Sequence, residues 1–387
     1  MLFSLALIFL SGYFLGKLLE KLNLPSLLAM ILVGIILGPY ALNLIDQSLL
    51  EISSEFREIA LIIILARSGL NLDIEELKKV GRPAVLLCFI PAIFEIVAVT
   101  VFAPIFLGLT FFEAVLLGTV LAAVSPAVIV PRMLKIKEEG FGTNKSIPQM
   151  VMAGSSVDDV FVIVLFTVFL SVNQSGNFEA NKLLSIPCSI ILGVLVGIAC
   201  AFGLNFLFKK FHFRDSAKVL IFISLGFLLV TLEDISTIGF SGILAVMSLG
   251  MGIKFKSPTT ANRLSNKFSK LWIVAEILLF TLVGSSVDIS FALNAGITVV
   301  VLILSALVFR IFAVYVCLIK TEFNNKEKFF VAISYIPKAT VQAAIGGIPL
   351  AVGLSCGSVI LTTAIVAILI TATLGAILID NLYKKLL

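Results

Sequence analysis

The sequence predicts an all-α integral membrane protein with thirteen transmembrane helices, built as two inverted six-helix repeats joined by a linker helix. Three observations predict it. The chain is 60% hydrophobic and only 13% charged, with a mean hydropathy of +1.16, far more apolar surface than a water-soluble core of 387 residues needs. Apolar windows of about 20 residues, the length that crosses a bilayer, recur between polar punctuation. Two of these windows, at matching places in the two halves, carry helix-breaking residues.

The windows fall at 1–20, 25–43, 56–72, 84–108, 111–133, 147–172, 183–208, 217–232, 237–253, 268–287, 291–319, 329–352 and 357–382. The first lacks a basic leader and a small-residue cleavage site before Lys17, so it reads as a retained span rather than a secretory signal. An odd number of spans places the termini on opposite sides, and Lys and Arg give an independent check. Arg57 and Lys182 lie in loops on the N-terminal side, Arg310 and Lys338 lie inside spans, and all the others of the 28 fall on the opposite side. By the positive-inside rule this asymmetry sets the N-terminus outside and the C-terminus in the cytoplasm, as expected of a multi-pass protein of the cell membrane. Residues 1–172 form the first repeat, 183–208 the linker and 217–387 the second, inverted repeat, within one polytopic domain over 1–387. No stretch between spans is long enough for a separate soluble domain.

The net charge of +5 comes with no basic stripe interleaved with exposed aromatics, and the 32 Phe sit in apolar runs, which argues against nucleic acid as a partner. The five cysteines, Cys88, Cys188, Cys200, Cys317 and Cys356, lie in apolar segments without C-x-x-C spacing and read as packing residues. The single histidine, His212, belongs to the basic loop KKFHFRDSAK and reads as solvated. No cofactor motif is present, and no cofactor is expected.

Five ionisable residues fall inside spans: Glu95, Asp158, Asp159, Arg310 and Lys338. Each is a functional candidate, because a charge in hydrocarbon costs several kcal/mol. In GSSVDDVFVIVLF, Ser155 and Asp158 have the spacing of a helix-capping box. Yet only 13 residues separate Val160 from Val172, too few to cross a bilayer, so the helix must begin earlier. Counted from Ile147, the aspartates lie roughly 18 Å along the helix, near mid-bilayer. Adjacent residues point about 100° apart, so one carboxylate faces a cavity while the other turns to a neighbouring helix, and Ser155 shares the face of Asp159. Two such charges cannot both stay ionised in low dielectric unless a cation arrives, which makes the pair a proton-for-cation exchange device.

A hard monovalent cation takes oxygen ligands: two carboxylates, a hydroxyl and free backbone carbonyls. Free carbonyls need a broken helix, tolerated in a membrane only where it lines protein or water. AAVSPAVIVPRM offers Pro126 and Pro131, each expected to remove a helix hydrogen bond, and YIPKATVQAAIGGIP offers Pro337, Gly346, Gly347 and Pro349. These are the fifth spans of the two halves, the position at which interrupted helices mark a transporter's central site. An intramembrane aspartyl protease also uses two aspartates, but on facing helices, so the chain is not expected to be an enzyme. A cation channel with a carboxylate ring suits one pair per chain less well than an alternating-access carrier.

ARSGLNLD, AAVSPAVIVP, GSSVDDV, GFSGILAV and IPKATVQAAIG, spread over residues 66–346, resemble the monovalent cation/proton antiporters of the NhaA-type fold, in the Asp-Asp branch, and most closely the NHA group of sodium/hydrogen exchangers. The resemblance implies a homodimer in which an interface domain holds a mobile core domain, with two broken helices crossing near the aspartates. It implies exchange of Na+ or Li+ for H+, with Na+ at Asp158 and Asp159. Asp159 becomes the main ion and proton carboxylate, Asp158 its partner, and Ser155 and Ser125 further ligands. Ser125, Pro126, Ala127 and Pro131 are then assigned to one break, and Pro337, Lys338 and Thr340 to the other. A K+/H+ antiporter or K+ efflux system of the same fold is the alternative, because nothing in the motifs separates sodium from potassium.

Where many Asp-Asp members carry a lysine in the eleventh span, VFRIF carries Arg310, with Glu95 in the fourth span as its expected partner. A guanidinium does not release its proton, so a scheme in which this position carries one of two transported protons loses its carrier. The expectation for Glu95 and Arg310 is a buried pair tying two core helices.

Overall fold

The structure is a computed structural model and describes residues 1–71, 81–175, 180–235, 240–287 and 289–387. Every regular element among them is helical. Nine stretches among the described residues are long and apolar enough to cross a membrane, and Ser26–Leu37 and Thr340–Ala351 are shorter apolar helices.

The chain divides into two units. The first comprises Met1–Ser54, Ile74–Gln174 and Ile277–Leu387. It holds helices α1 (Leu2–Lys21), α2 (Ser26–Leu37), α3 (Gln47–Glu51), α5 (Arg82–Leu87), α6 (Ile90–Leu107), α7 (Phe111–Ala122), α8 (Pro126–Glu138) and α9 (Ile147–Ser175). It also holds the end of α13 (Pro258–Ser285), with α14 (Ile289–Cys317), α15 (Asn325–Ser334), α16 (Thr340–Ile345), α17 (Ile348–Ala351) and α18 (Gly357–Leu386). The second unit, Glu55–Asp73 and Ser175–Glu276, holds α4 (Ser53–Asn71), α10 (Ala180–Lys210), α11 (Asp215–Ile235), α12 (Gly242–Lys256) and the start of α13.

Several window boundaries move for local reasons. The apolar window 84–108 is two helices, because Pro91 has no N–H to donate back to Leu87 and the chain turns at Cys88 and Phe89. The window 268–287 belongs to a helix that starts ten residues earlier, at Pro258, in a polar turn that hydropathy does not register. The window 329–352 begins at Asn325, where Asn324 and Glu327 close a capping box, with Glu327 N–H to Asn324 Oδ1 at 2.9 Å and Asn324 N–H to Glu327 Oε2 at 2.7 Å. Lys145 Nζ lies 2.8 Å from the same Glu327. At its far end α8 is tied to α18 by Arg132 and Asp380 at 3.0 Å and by the Tyr383 hydroxyl donating to Glu139 at 2.7 Å.

In the second unit α10 and α12 pack closely. Gly193 and Gly197 of α10 face the backbone at Ser241 and Ala245, where a Cβ would have no room. Small residues at such a crossing let two membrane helices approach within van der Waals contact of their backbones.

Candidate functional site: charged side chains at the crossing of two helix breaks

The fifth apolar window does not run through. After α7 the chain is extended from Ala123 to Ser125, and α8 starts with Pro126 at its first turn. Pro126 therefore begins a helix, where its missing N–H is not needed, and the break lies just before it. Pro131 stands inside α8 and does not interrupt it, unlike the expectation for that residue. The second break runs from Tyr335 to Ala339, between α15 and α16, and contains Pro337 and Lys338; Thr340 opens α16. The two breaks meet: Ser125 N–H donates to the Pro337 carbonyl at 2.8 Å. Gly375 of α18 makes room for this crossing, because a Cβ there would collide with the Pro337 ring.

Breaking α7 leaves its last carbonyls without helix partners. Cationic and amide side chains take them. Lys338 Nζ donates to the Leu121 carbonyl at 2.5 Å, Arg310 Nη1 to the Ala122 carbonyl, and Gln342 Nε2 to the Ala123 carbonyl at 2.7 Å and the Leu121 carbonyl at 3.3 Å. Arg310 Nε donates to the Tyr335 carbonyl at the end of α15, at 2.8 Å. Positive groups thus stand at the negative ends of both broken helices, as the helix dipole favours.

The same cations hold carboxylates. Arg310 Nη1 lies 2.7 Å from Glu95 Oε2, and Nη2 lies 3.0 Å from Asp158 Oδ2, which also accepts from Val124 N–H at 2.9 Å. Lys338 Nζ sits 2.7 Å from Glu95 Oε1, an ionic contact whose angle is poor for a hydrogen bond. The expected Glu95 and Arg310 pair is therefore present but not closed: each partner is shared, Glu95 with Lys338 and Arg310 with Asp158.

Asp159 differs from these four. Among the described residues no cation is within ion-pair distance of it, and its Oδ1 has no hydrogen-bond partner. It retains 6% exposure, against 0–1% for Glu95, Asp158, Arg310 and Lys338. The four paired groups comprise two carboxylates and two cations, and Asp159 is left outside that set. Both aspartates lie mid-helix in α9, not at a helix start. Ser155, one turn before Asp159, is fully buried and donates to the Met152 carbonyl at 3.0 Å, which leaves its oxygen lone pairs facing away from that bond. Ser125 Oγ is buried with no partner among the described residues. Ala127 is half-buried in the first turn of α8.

Sequence reasoning missed Gln342, Tyr335 and Thr371. Gln342 is fully buried and bridges the two breaks; Thr371 Oγ1 of α18 accepts the Lys338 N–H at 3.0 Å; Tyr335 lies against Arg310, 5.7 Å from ring centroid to guanidinium carbon. The signal for Gln342 was available: an amide inside an apolar span has to find partners.

Paired half-helices with their carbonyl ends capped by buried cations, next to an unpaired buried carboxyl, define a multi-pass membrane transporter of the broken-helix type. Comparison with known proteins gives its kinship. The family described as "Sodium/hydrogen exchanger, transmembrane" matches residues 5–385, and the chain belongs to it. Sodium/hydrogen exchanger 9B2 of Homo sapiens is 34% identical over 409 residues, covering 100% of this chain and 75% of that protein. Human sodium/hydrogen exchanger 9B1 is 35% identical over 413 residues, covering 100% and 78%. The fold matches that of the sodium proton antiporter MjNhaP1 from Methanocaldococcus jannaschii, with a TM-score of 0.84 over 99% of this chain and 97% of that one, at 23% identity.

Proposed function

We propose that the protein is a secondary active antiporter that exchanges Na+ or Li+ for H+ across the cell membrane by alternating access. The observation that carries this reading is Asp159: a buried carboxyl without a cation partner beside four charges that are already balanced. A proton and a sodium ion compete for it, and each leaves the site neutral. Asp158, Ser155 and Ser125 contribute further oxygens, with Asp158 paired to Arg310 and accepting from the Val124 N–H. The relatives' names as sodium/hydrogen exchangers support sodium as the cation.

The working molecule, on this reading, is a homodimer of thirteen-span chains. Each chain has two inverted repeats, 1–172 and 217–387, about the linker 183–208, with the N-terminus outside and the C-terminus in the cytoplasm. The side bias of Lys and Arg supports that orientation.

The test is transport in proteoliposomes with an internal pH dye, adding Na+, Li+ and K+ in turn to an imposed pH gradient. Na+ and Li+ are expected to dissipate it and K+ not. Dissipation by K+ alone would make the protein a potassium system of the same fold, and no response to any of the three would sink the antiport reading.

A further inference from the structure

Both broken helices open with a capping glutamate, and each glutamate also reaches out of its own turn. At the start of α7, Thr110 N–H and Oγ1 donate to Glu113 Oε2 at 2.9 and 2.8 Å; at the start of α15, Asn324 N–H donates to Glu327 Oε2 at 2.7 Å. Each glutamate stands three residues after its cap, as a capping box requires. Glu113 Oε1 accepts in addition from Ser355 Oγ at 3.2 Å. Glu327 accepts from Lys145 Nζ at 3.0 Å and 2.8 Å, and the same ammonium donates to the Glu322 carbonyl at 3.0 Å. Ser355 and Lys145 occupy matching places. Each lies two residues before a long helix, α18 from Gly357 and α9 from Ile147, in the loop that leaves the other broken helix. A capping box closes within one turn and needs no such contact, so its repetition in both halves points to a shared task.

The long helices that follow these loops carry the site. α9 holds Asp158 and Asp159, and its far end is fastened as well, by Asn173 Nδ2 donating to the Phe112 carbonyl, beside Glu113, at 3.1 Å. α18 holds Thr371 and Gly375 against Lys338 and Pro337 of the second break, and its far end is tied to α8 through Asp380 and Tyr383.

We infer that Glu113 and Glu327 are a matched pair of positioning residues for the transport site. Each caps one broken helix and staples to it the loop that starts the neighbouring long helix. The two staples, at opposite ends of the broken helices, fix how far α9 and α18 stand along the crossing, and so where the aspartates sit relative to the breaks. The consequence for cation binding rests on the antiport reading; the staples themselves do not.

Lys145→Met keeps the length of the side chain without its charge, and Glu327→Gln keeps an oxygen for the Asn324 N–H. In both, the sodium concentration for half-saturation is expected to rise roughly two- to fivefold, the weight of one ion pair that is neither fully exposed nor fully buried. It is read in purified protein from stabilisation by Na+ against heat, and in proteoliposomes as KM, with the maximal rate little changed. A merely structural tie would lower stability and leave KM where it was. Lys145→Arg, which keeps charge and reach, should return the wild-type value. Joining Lys145→Met to Glu327→Gln should add nothing to either alone, whereas joining it to Ser355→Ala, at the opposite end, should multiply the two effects. Wild-type half-saturation in both single variants, or a Lys145→Arg no better than Lys145→Met, would overturn the positioning role. Unfolding midpoints taken without sodium form a separate cycle, in which losses at Lys145 and Glu327 that simply add would show that no staple exists. A wild type that exchanges no cation would remove the antiport reading, and the sodium-free cycle would still decide the staple.

Discussion

Arg310 reaches Asp158 with Nη2 at 3.0 Å while Nη1 of the same guanidinium holds Glu95 at 2.7 Å. A residue separation of 215 to Glu95 and 152 to Asp158 makes Arg310 the junction of three helices, α6, α9 and α14, and of both breaks through the Ala122 and Tyr335 carbonyls. Removing it strands several buried groups at once. Arg310→Ala is expected to destabilise the protein by about 3–5 kcal/mol, the cost of breaking a buried ion pair. Arg310→Lys should recover only part, since one ammonium cannot reproduce a planar fork that serves two carboxylates and two carbonyls. Replacing Glu95 and Arg310 together by apolar residues should not restore stability, because Lys338 and Asp158 then lose their partners. Thermal unfolding in detergent measures all three, and a double variant as stable as the wild type would show that Glu95 and Arg310 are an isolated pair.

The two aspartates should separate by the same measurement. Asp159→Asn removes an unpartnered buried carboxyl and is expected to leave the thermal midpoint at or above that of the wild type while cation/proton exchange is lost. Asp158→Asn takes an acceptor from Arg310 and from the Val124 N–H, so its midpoint should fall, and exchange should fall with it. Wild-type exchange in Asp159→Asn would remove that residue from the ion path.

Much of this site was legible in one dimension. A charged residue inside an apolar window stands out, so Glu95, Asp158, Asp159, Arg310 and Lys338 could all be found, and proline and glycine flagged the neighbourhood of both interruptions. What the windows could not give was partnership. Glu95 is shared between Arg310 and Lys338, and no periodicity encodes a contact across more than two hundred residues. Proline also marks the first turn of a helix as readily as an interruption within one. Pro126 does the former, so the extended residues Ala123 to Ser125 sit just upstream of it, and Pro131 is carried inside α8, which continues past it to Glu138. Gln342 escaped because it is uncharged, although its amide is tied into the crossing as firmly as the Lys338 ammonium.

Gln342→Ala tests that tie. It uncovers the Ala123 carbonyl and weakens the cover on Leu121, and leaving buried acceptors unpaired is expected to cost about 1–3 kcal/mol. Because these carbonyls end α7 just before Asp158's donor Val124, exchange should slow as well as stability fall. Gln342→Glu should be worse than alanine, since it sets a fourth carboxylate against carbonyl oxygens. Thermal midpoints together with initial transport rates decide it, and wild-type values for Gln342→Ala would show that Lys338 and Arg310 suffice to close the break.

Charge balance at the crossing also bears on the electrical character of transport. Glu95 and Asp158 are matched by Arg310 and Lys338, and each of these four has an ionic partner. On the proposed mechanism only Asp159 alternates, carrying one proton in one direction and one monovalent cation in the other. The moving unit is then neutral in both states, and sodium jumps on solid-supported membranes are expected to give no steady current from protein that is active by the pH dye. Lys338 is a group that could alter this, because an ammonium, unlike a guanidinium, can release its proton when its partner is removed. Glu95→Gln takes away the carboxylate 2.7 Å from Lys338 and should be the variant in which a current first appears, while Lys338→Gln should remain silent. A sodium-driven current in the wild type would show that a second proton is already carried, and its loss in Lys338→Gln would identify the carrier.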